Sequence, residues 1–541
     1  MSSDTGAADG SDGRRGDLEW GTTPRLVIAA AARWGEHPAI VDGDEVISYA
    51  ALADRVEVAA RAFLAAGLEP GDRAAIWAPN IAEWVIVALG LHAAGGVLVP
   101  LNTRFKGSEA AYVLTTSRAR LLFTVTDFLD TDYVALLRNG GDATPDLEQI
   151  VVLRGVAPEG TTSLGQFLEA GSSVPPEQAY EATMAVQPED LSDIIFTSGT
   201  TGKPKGVMTA HGQNLRAFRD WADVVGLRHG DRYLIVNPFF HAFGYKAGIL
   251  ASIMTGATMY PHLVFDVPQV MRRVATERIT MLPGPPTLYQ SILNHPELDQ
   301  FDMSSLRLSV TGAAAIPVEL ILRMRAELSF ETIITGYGLT EACGIATMCR
   351  YDDDPETIAT RSGRAIPGID VQCVGDDGVE VPRGQPGEVV VRGYNVMRGY
   401  FDDPEETAAA IDADGWLHTG DIGEMDERGY LWITDRLKDM FITGGFNAYP
   451  AEIENLLLGH EGIAQAAVIG IPDERMGEVG MAFVVPRPGV TLDPAEVIAW
   501  SRERMANFKA PRRVAIVDDL PLNASGKVVK FELRDRAAAT A

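Results

Sequence analysis

The sequence predicts an α/β protein: a large N-terminal domain of α/β layers with a small β-rich subdomain, then a small mobile C-terminal α+β domain. Three observations point there. Helical faces alternate with short Val, Leu and Ile runs through the first part of the chain. After about Asp370 that alternation gives way to short strand-like runs separated by Gly, Asp and Pro. The chain has 541 residues, 46% of them hydrophobic and 22% charged, which exceeds one small core.

Residues 1–18 are rich in Ser, Gly, Asp and Ala and lack an apolar run. That excludes a signal peptide and predicts a disordered tail. Ser48 reads as a helix N-cap, with Leu52, Val56, Ala60, Phe63 and Leu64 on one face and Gly67 as the stop. Pro70-Gly71-Asp72 turns into a strand over Arg73–Trp77. The alternation continues with a helix near 82–94, a strand at Val97–Pro100, a helix near 108–116 and a strand over 121–125. The most apolar stretch, Trp84 to Leu101, contains His92 and Gly95-Gly96 and reads as buried helix, turn and strand rather than a membrane span. Ile194-Ile195-Phe196 ends another buried strand. The β-rich stretch has strands at 371–374, 388–392 and 430–433. Beyond Lys438 a smaller unit follows, with a helix from Pro450, strands over 466–471 and 482–485, and a helix over 494–508. The polar run Asp435-Arg436-Leu437-Lys438-Asp439 is the expected hinge, so the expected domains are 19–437 and 438–541.

The formal charge of -28 argues against nucleic acid and anionic membrane surfaces as partners. Cys343, Cys349 and Cys373 are odd in number and lack metal-ligand spacing, which suits reduced thiols in a cytoplasmic protein. The sequence leaves a homo-oligomer open.

Four strings carry chemistry. Thr197-Ser198-Gly199-Thr200-Thr201-Gly202-Lys203-Pro204-Lys205-Gly206 follows a buried strand with glycines, hydroxyls and lysines. Such a loop suits a polyphosphate: backbone N–H groups converge, hydroxyls donate and lysines supply charge. Its spacing is not that of the Walker loop, because too few residues separate Gly199 from Gly202-Lys203. Thr335-Gly336-Tyr337-Gly338-Leu339-Thr340-Glu341 frees one ring between two glycines and then offers hard oxygen ligands. The plainer reading of it is a glycine turn into a helix, with Glu341 complementing the dipole. Gly415-Trp416-Leu417-His418-Thr419-Gly420-Asp421 ends on a carboxylate that could accept a vicinal diol, or that simply closes a turn. Asn523-Ala524-Ser525-Gly526-Lys527 places a lysine in a loop near the C-terminus.

In this order the four strings resemble those of the adenylate-forming superfamily of acyl-CoA synthetases, adenylation domains and beetle luciferases, from roughly Glu19 to the C-terminus. The resemblance implies roles by position. Thr197, Ser198, Gly199, Thr200, Thr201, Gly202, Lys203 and Lys205 would hold the β- and γ-phosphates of ATP. Gly312, Ala313 and Ala314 would approach the purine. Thr335, Gly336, Tyr337, Gly338 and Thr340 would form the adenine segment, with the Tyr337 ring on the base. Glu341 and Thr197 would hold Mg²⁺. Asp421, with Arg436, would hold the ribose. Lys438 would be the hinge, and Gly444 and Gly445 would line the pantetheine tunnel of CoA. Lys527 would bridge the carboxylate and the α-phosphate. The family usually has Arg-Thr ahead of that turn, where this chain has Leu522 and Asn523.

The implied reaction joins a carboxylic acid to CoA at the cost of ATP, through an acyl-adenylate, with AMP and pyrophosphate released. His241 would gate the acid, and Phe243, Tyr245, Pro283, Gly284 and Gly338 would wall its pocket. The segment Pro238–Thr255 has no Asp or Glu to hold a substrate ammonium, which favours a non-amino acid. Asn237–Gly248 and Leu282–Gln290 resemble the steroid-catabolic branch of these ligases, implying a bicyclic indanedione propionate. A medium-chain or other alicyclic acid suits the same composition. Loading of a carrier protein in trans is the alternative acceptor reading. A non-enzymatic adenylate binder is disfavoured, since Glu341, Asp421, Arg436 and Lys527 are all present.

Overall fold

The structure is a computed structural model that describes residues 15–539 except 198–203, 313–315, 437, 438, 440, 444, 445, 449, 474, 475, 506 and 523–527. The chain divides into two compact units, Met1–Leu263 and Val264–Ala541. The sequence showed no composition change there. The expected boundary at 437/438 falls on undescribed residues, and the strand Leu431–Arg436 carries Asp435 and Arg436, so the regular backbone runs further into the expected hinge than its polarity suggested.

The first unit is built on two sheets. One runs in the order Lys205–Ala210, Leu191–Thr197, Val97–Pro100, Arg73–Trp77, Ala119–Val125, Gln149–Arg154, Thr162–Ser163. All of these neighbours pair parallel except the first two strands, which form an antiparallel hairpin. The other sheet orders Arg232–Ile235, Thr258–Pro261, Pro38–Asp42 and Glu45–Ser48. Parallel strands covered on both faces read as continuous apolar runs, and all four residues of Val97–Pro100 are buried. The helix Ala82–Ala93 is buried from Trp84 to Ala93 without a polar face, as its composition implied. The helix Tyr49–Ala65 is capped by Ser48, whose hydroxyl accepts from the Ala51 N–H at 3.2 Å.

The expected tail ends early. Gly16–Glu19 forms a helical turn against the helix His211–Val225, where a Cβ on Gly16 would stand 2.4 Å from the Leu215 carbonyl oxygen. That close approach, and the burial of Trp20, order a stretch whose composition alone reads as disordered.

In the second unit Leu308–Thr311 and Thr332–Tyr337 pair parallel, and Thr347–Met348 and Arg364–Ala365 extend that sheet antiparallel. The β-rich stretch is an antiparallel sheet ordered Ile369–Val374, Gly387–Gly393, Leu417–Met425, Leu431–Arg436. The last hundred or so residues have a sheet of their own, in which Gly477–Pro486 is central and pairs with Ile463–Asp473, Phe441–Thr443 and Arg513–Ile516. One core, around Phe441, Ile453, Leu457 and Val484, lies on one face, and a second, around Ile469, Phe483 and Leu533, lies on the other. Among the described residues no helix is long and apolar enough to cross a membrane.

Candidate active site

The expected phosphate-loop string lies in the chain between the antiparallel strands Leu191–Thr197 and Lys205–Ala210. Thr197 and Lys205 are their last register pair, so a hydroxyl and an ammonium stem face each other at the mouth of the loop. Tyr112 donates to the Pro204 carbonyl at 3.1 Å and fixes the return limb. Ser198, Gly199, Thr200, Thr201, Gly202 and Lys203 lie outside the described residues.

The second unit builds the nucleotide-type constellation. Strand Thr332–Tyr337 delivers Tyr337 between two glycines that cannot carry side chains. A Cβ on Gly338 would stand 2.3 Å from the Gly344 carbonyl oxygen, and one on Gly336 would stand 2.8 Å from that of Thr347. Thr340 to Ala342 form a single 3₁₀ turn. No helix begins there, so the dipole reading of Glu341 has no helix to act on. Tyr400 donates to Glu341 Oε1 at 3.1 Å, and the Glu341 carbonyl accepts from the Met397 N–H at 2.8 Å. Burial, then the neighbouring Glu341, push the Tyr400 phenol well above its ordinary range, so it stays a donor.

Tyr337 donates to Asp421 Oδ2 at 2.6 Å, which brings the expected adenine ring and the expected ribose carboxylate together. Asp421 is 5% exposed and sits opposite Arg436 in register. The turn before Asp421 is clamped twice. Glu388 accepts from the Gly420 N–H at 3.1 Å and bonds His418 Nδ1 at 2.8 Å. Thr419 donates to the Val389 carbonyl at 2.6 Å and accepts from the Asp421 N–H at 3.1 Å. Glu388 and Tyr400 were not singled out from the sequence. Each sits in an ordinary strand-like run, and its partner lies 30 and 59 residues away, respectively.

Thr335 is bonded within the protein. Its hydroxyl lies 3.0 Å from the carbonyls of Ile358 and Arg361 and 3.1 Å from Cys349 Sγ. It holds its own scaffold. Gly312 lies where a Cβ would come 3.3 Å from the Gly336 carbonyl oxygen. Ala313, Ala314, Lys438, Gly444, Gly445 and Lys527 lie outside the described residues, and Arg436 is described by its backbone alone.

For Mg²⁺ the donor set is sparse. Among the described residues no three His, Cys, Asp or Glu side chains cluster as a metal cage. That fits magnesium, which takes one or two carboxylates and completes its shell with substrate phosphates and water. Glu341, its carboxylate oriented by Tyr400, suits the part.

The acid-side segment is stapled by Asn80, which donates to the carbonyls of Ile235 and Asn237 at 3.1 and 2.9 Å and accepts from the Phe239 N–H at 2.8 Å. His241 is exposed, and its Nδ1 accepts from the Phe243 N–H at 3.2 Å. Phe243 is half-buried and meets Trp221 edge-on at 6.0 Å. Phe239 is core, packed on Trp84. Tyr245 has no exposed surface, so it stands behind the expected wall rather than on it. Pro283 and Gly284, in the second unit, are also buried. An acidic side chain does approach this segment from behind. Asp193 pairs with Lys246 at 3.0 Å, so its charge is already matched and is not an anchor for a substrate ammonium.

Behind Tyr245 lie two buried imidazoles. His92 Nδ1 sits 3.3 Å from the Gly96 carbonyl, which can only accept, so Nδ1 carries the proton and Nε2 accepts from Tyr245 at 2.8 Å. His211 meets His92 edge-on at 5.0 Å. Burial pushes His92 down to about 4 and His211 well below its ordinary value. Below the ordinary histidine value of ~6.5 the unfolded chain therefore takes up protons that the native state does not, and stability falls with pH. The melting temperature should drop as pH goes from about 7 toward about 4.5, and His92→Gln should lose part of that slope. An unchanged slope in the variant would remove His92 from the account.

The AMP-binding enzyme family matches residues 27–401, and the AMP-binding enzyme C-terminal domain matches residues 452–527. A curated relative in Rhodococcus jostii (strain RHA1), the 3-[(3aS,4S,7aS)-7a-methyl-1,5-dioxo-octahydro-1H-inden-4-yl]propanoyl:CoA ligase, is 51% identical over 95% of this chain and 98% of its own length. The ligase of the same name in Mycobacterium tuberculosis (strain ATCC 25618 / H37Rv) is 51% identical with the same coverage. Among solved structures, the anthranilate CoA ligase AuaEII in complex with anthranoyl-AMP superposes with a TM-score of 0.85 at 27% identity, covering 96% of this chain and 98% of that one.

Proposed function

Because this chain belongs to the AMP-binding enzyme family and is an acyl-CoA ligase, we propose that it activates a bicyclic indanedione propionate or a close alicyclic analogue. The observation that carries this reading is the 51% identity to two ligases named for that acid, sustained over 95% of the chain. Two features support it. The segment 238–255 offers no uncompensated acid for an ammonium. Its front is built from His241 and the half-buried Phe243, a surface suited to a hydrocarbon body with a carboxylate at its edge.

In this mechanism the acid carboxylate attacks the α-phosphorus of ATP and pyrophosphate leaves. The loop 197–206 holds the departing phosphates, Tyr337 and Asp421 hold the nucleoside, and Lys527 stabilises the charge that develops. Glu341 and the Thr197 hydroxyl would hold Mg²⁺, which supplies charge neutralisation at the phosphates. The C-terminal lobe then turns about Lys438, withdrawing Lys527 and presenting Gly444 and Gly445 to the pantetheine of CoA. The separate family matches at 27–401 and 452–527 support that division of the chain. A cytoplasmic location suits the three cysteines, which are buried and not disulfide-bonded.

An ATP- and CoA-dependent AMP-release assay over bicyclic propionates, medium-chain acids and aromatic acids tests the reading. The bicyclic propionate should give the highest kcat/KM, and CoA should outperform a pantetheinylated carrier protein. A clear preference for straight-chain acids would overturn the substrate assignment.

A further inference from the structure

Two local irregularities face each other behind the acid-side segment. Phe243–Leu250 is a π-helix of eight residues, in which the Ala251 N–H reaches back to the Lys246 carbonyl. π-Helices are rare, appear mostly as single-turn bulges and are frequent at functional sites. The strand Leu191–Thr197 carries a bulge: Leu191 pairs with Ala210 and Asp193 with Thr209, leaving Ser192 as the extra residue. A regular strand sends consecutive side chains to opposite faces, and a bulge relaxes that rule. As a result two consecutive residues on each element meet. Tyr245 lies 3.4 Å from Ser192 Oγ, and Lys246 Nζ lies 3.0 Å from Asp193 Oδ1.

The pair at the centre is fully buried, with side-chain exposures of 0% for Lys246 and 1% for Asp193. Both members are also hydrogen-bonded to neighbours. Thr209 donates to Asp193 Oδ1 at 2.9 Å and accepts from Lys246 at 2.9 Å, while Asn214 donates to Asp193 Oδ2 at 2.7 Å. Replacing such a pair with apolar residues of similar volume is often neutral or stabilising. Stability alone therefore does not account for charges at this depth, whereas registration of one element on another does. The two elements are not equally held. Asp193 is fixed in the sheet from both sides, paired with Leu98 and with Thr209. The π-helix has no strand ladder, and Tyr245 and Lys246 tie it to this strand.

We propose that the Lys246–Asp193 pair is a positioning device for acid recognition: it registers the π-helix on the strand that leads into the phosphate loop, and so sets where His241 and Phe243 stand. This rests on the reading of 238–248 as the acid-selecting segment. Losing the pair moves the wall and leaves the sheet-held hairpin in place. The acid side of the reaction should therefore suffer and the ATP side should not.

The test compares the full-length enzyme with Lys246→Met, the charge-free double variant Asp193→Asn/Lys246→Met, Thr209→Val and Phe243→Ala. The best acid of the panel and acetate, as a small probe, serve as substrates. The double variant should recover the melting temperature lost in Lys246→Met. Its KM for the large acid should stay raised about tenfold, with the KM for ATP within about twofold of wild type and acetate little affected. A folded double variant with a wild-type acid KM, or with acid and ATP KM raised equally, overturns the proposal. Should the double variant not fold, Thr209→Val decides by the same split, with an expected rise of about threefold in acid KM alone. Phe243→Ala reports separately on the segment. If it leaves the acid KM unchanged, the acid-wall reading fails, and if it raises that KM while the double variant does not, only the role of the pair fails.

Discussion

Lys527→Ala should lower the acyl-adenylation rate by about 10²–10³-fold while leaving thioester formation from pre-made acyl-adenylate within a few-fold of wild type. The separation follows from where charge develops. As the carboxylate oxygen bonds to the α-phosphorus, negative charge accumulates on the phosphoryl oxygens and the departing pyrophosphate, and one placed ammonium stabilises that state more than the ground state. Attack of a thiol on the finished adenylate expels AMP and needs no bridge between carboxylate and α-phosphate. On either side of 523–527, Leu522 bridges Val528 and the Val529 N–H bonds the Pro521 carbonyl at 2.8 Å. The helix Lys530–Ala539 that follows is anchored by Leu533, which is fully buried, and by Lys530 on Glu454 at 2.9 Å. The C-terminal family match ends on this lysine. Acid-dependent pyrophosphate exchange and single-turnover thioesterification, run side by side, measure the two half-reactions. Equal loss in both would reject the assignment of Lys527 to adenylation.

What the sequence revealed, and what it hid, divides by the range of the interactions. The Ser48 cap, the buried helix at 82–93 and the glycine-flanked Tyr337 were legible because their causes are local: a hydroxyl within one turn, an unbroken apolar run, an absent Cβ. The clamp of Glu388 on the Gly420 turn was not, because strand pairing, and no nearby residue, brings the two together. The contacts of Thr335 were hidden for the same reason. It lies inside a functional string, yet its partners Ile358 and Arg361 come from a later segment. The π-helix had no signature either. Phe243–Leu250 shows neither alternation nor a helical stripe, and its partners Ser192 and Asp193 come from a distant strand. Tyr245, read as pocket wall, is fully buried and bonded to His92 and Ser192. The unit boundary at 263/264 follows from contact density, which composition does not encode.

Asp421→Ala should weaken ATP binding by roughly 10²-fold, and it should do so through the ribose. The Asp421 carboxylate is nearly buried and accepts from Tyr337 through Oδ2 at 2.6 Å. Its turn is held by Glu388 and Thr419, so the carboxylate is oriented before any nucleotide arrives. A carboxylate accepting both hydroxyls of a vicinal diol makes two charge-assisted bonds, each worth about 1.5–3 kcal/mol. Losing them, offset by the solvation the freed diol regains, corresponds to an increase of about two decades in Kd. The adenylate keeps its ribose through the second half-reaction, so this variant, unlike Lys527→Ala, should impair both. Tyr337→Phe keeps the ring and removes only the donor to Asp421, and its loss should stay within about fivefold. The decisive comparison uses 2′,3′-dideoxy-ATP. Wild type should discriminate against it by about the same two decades that Asp421→Ala costs, and Asp421→Ala should scarcely distinguish it from ATP. If the variant still prefers ATP as strongly as wild type does, another group holds the ribose, and Asp421 serves the fold through Tyr337 alone.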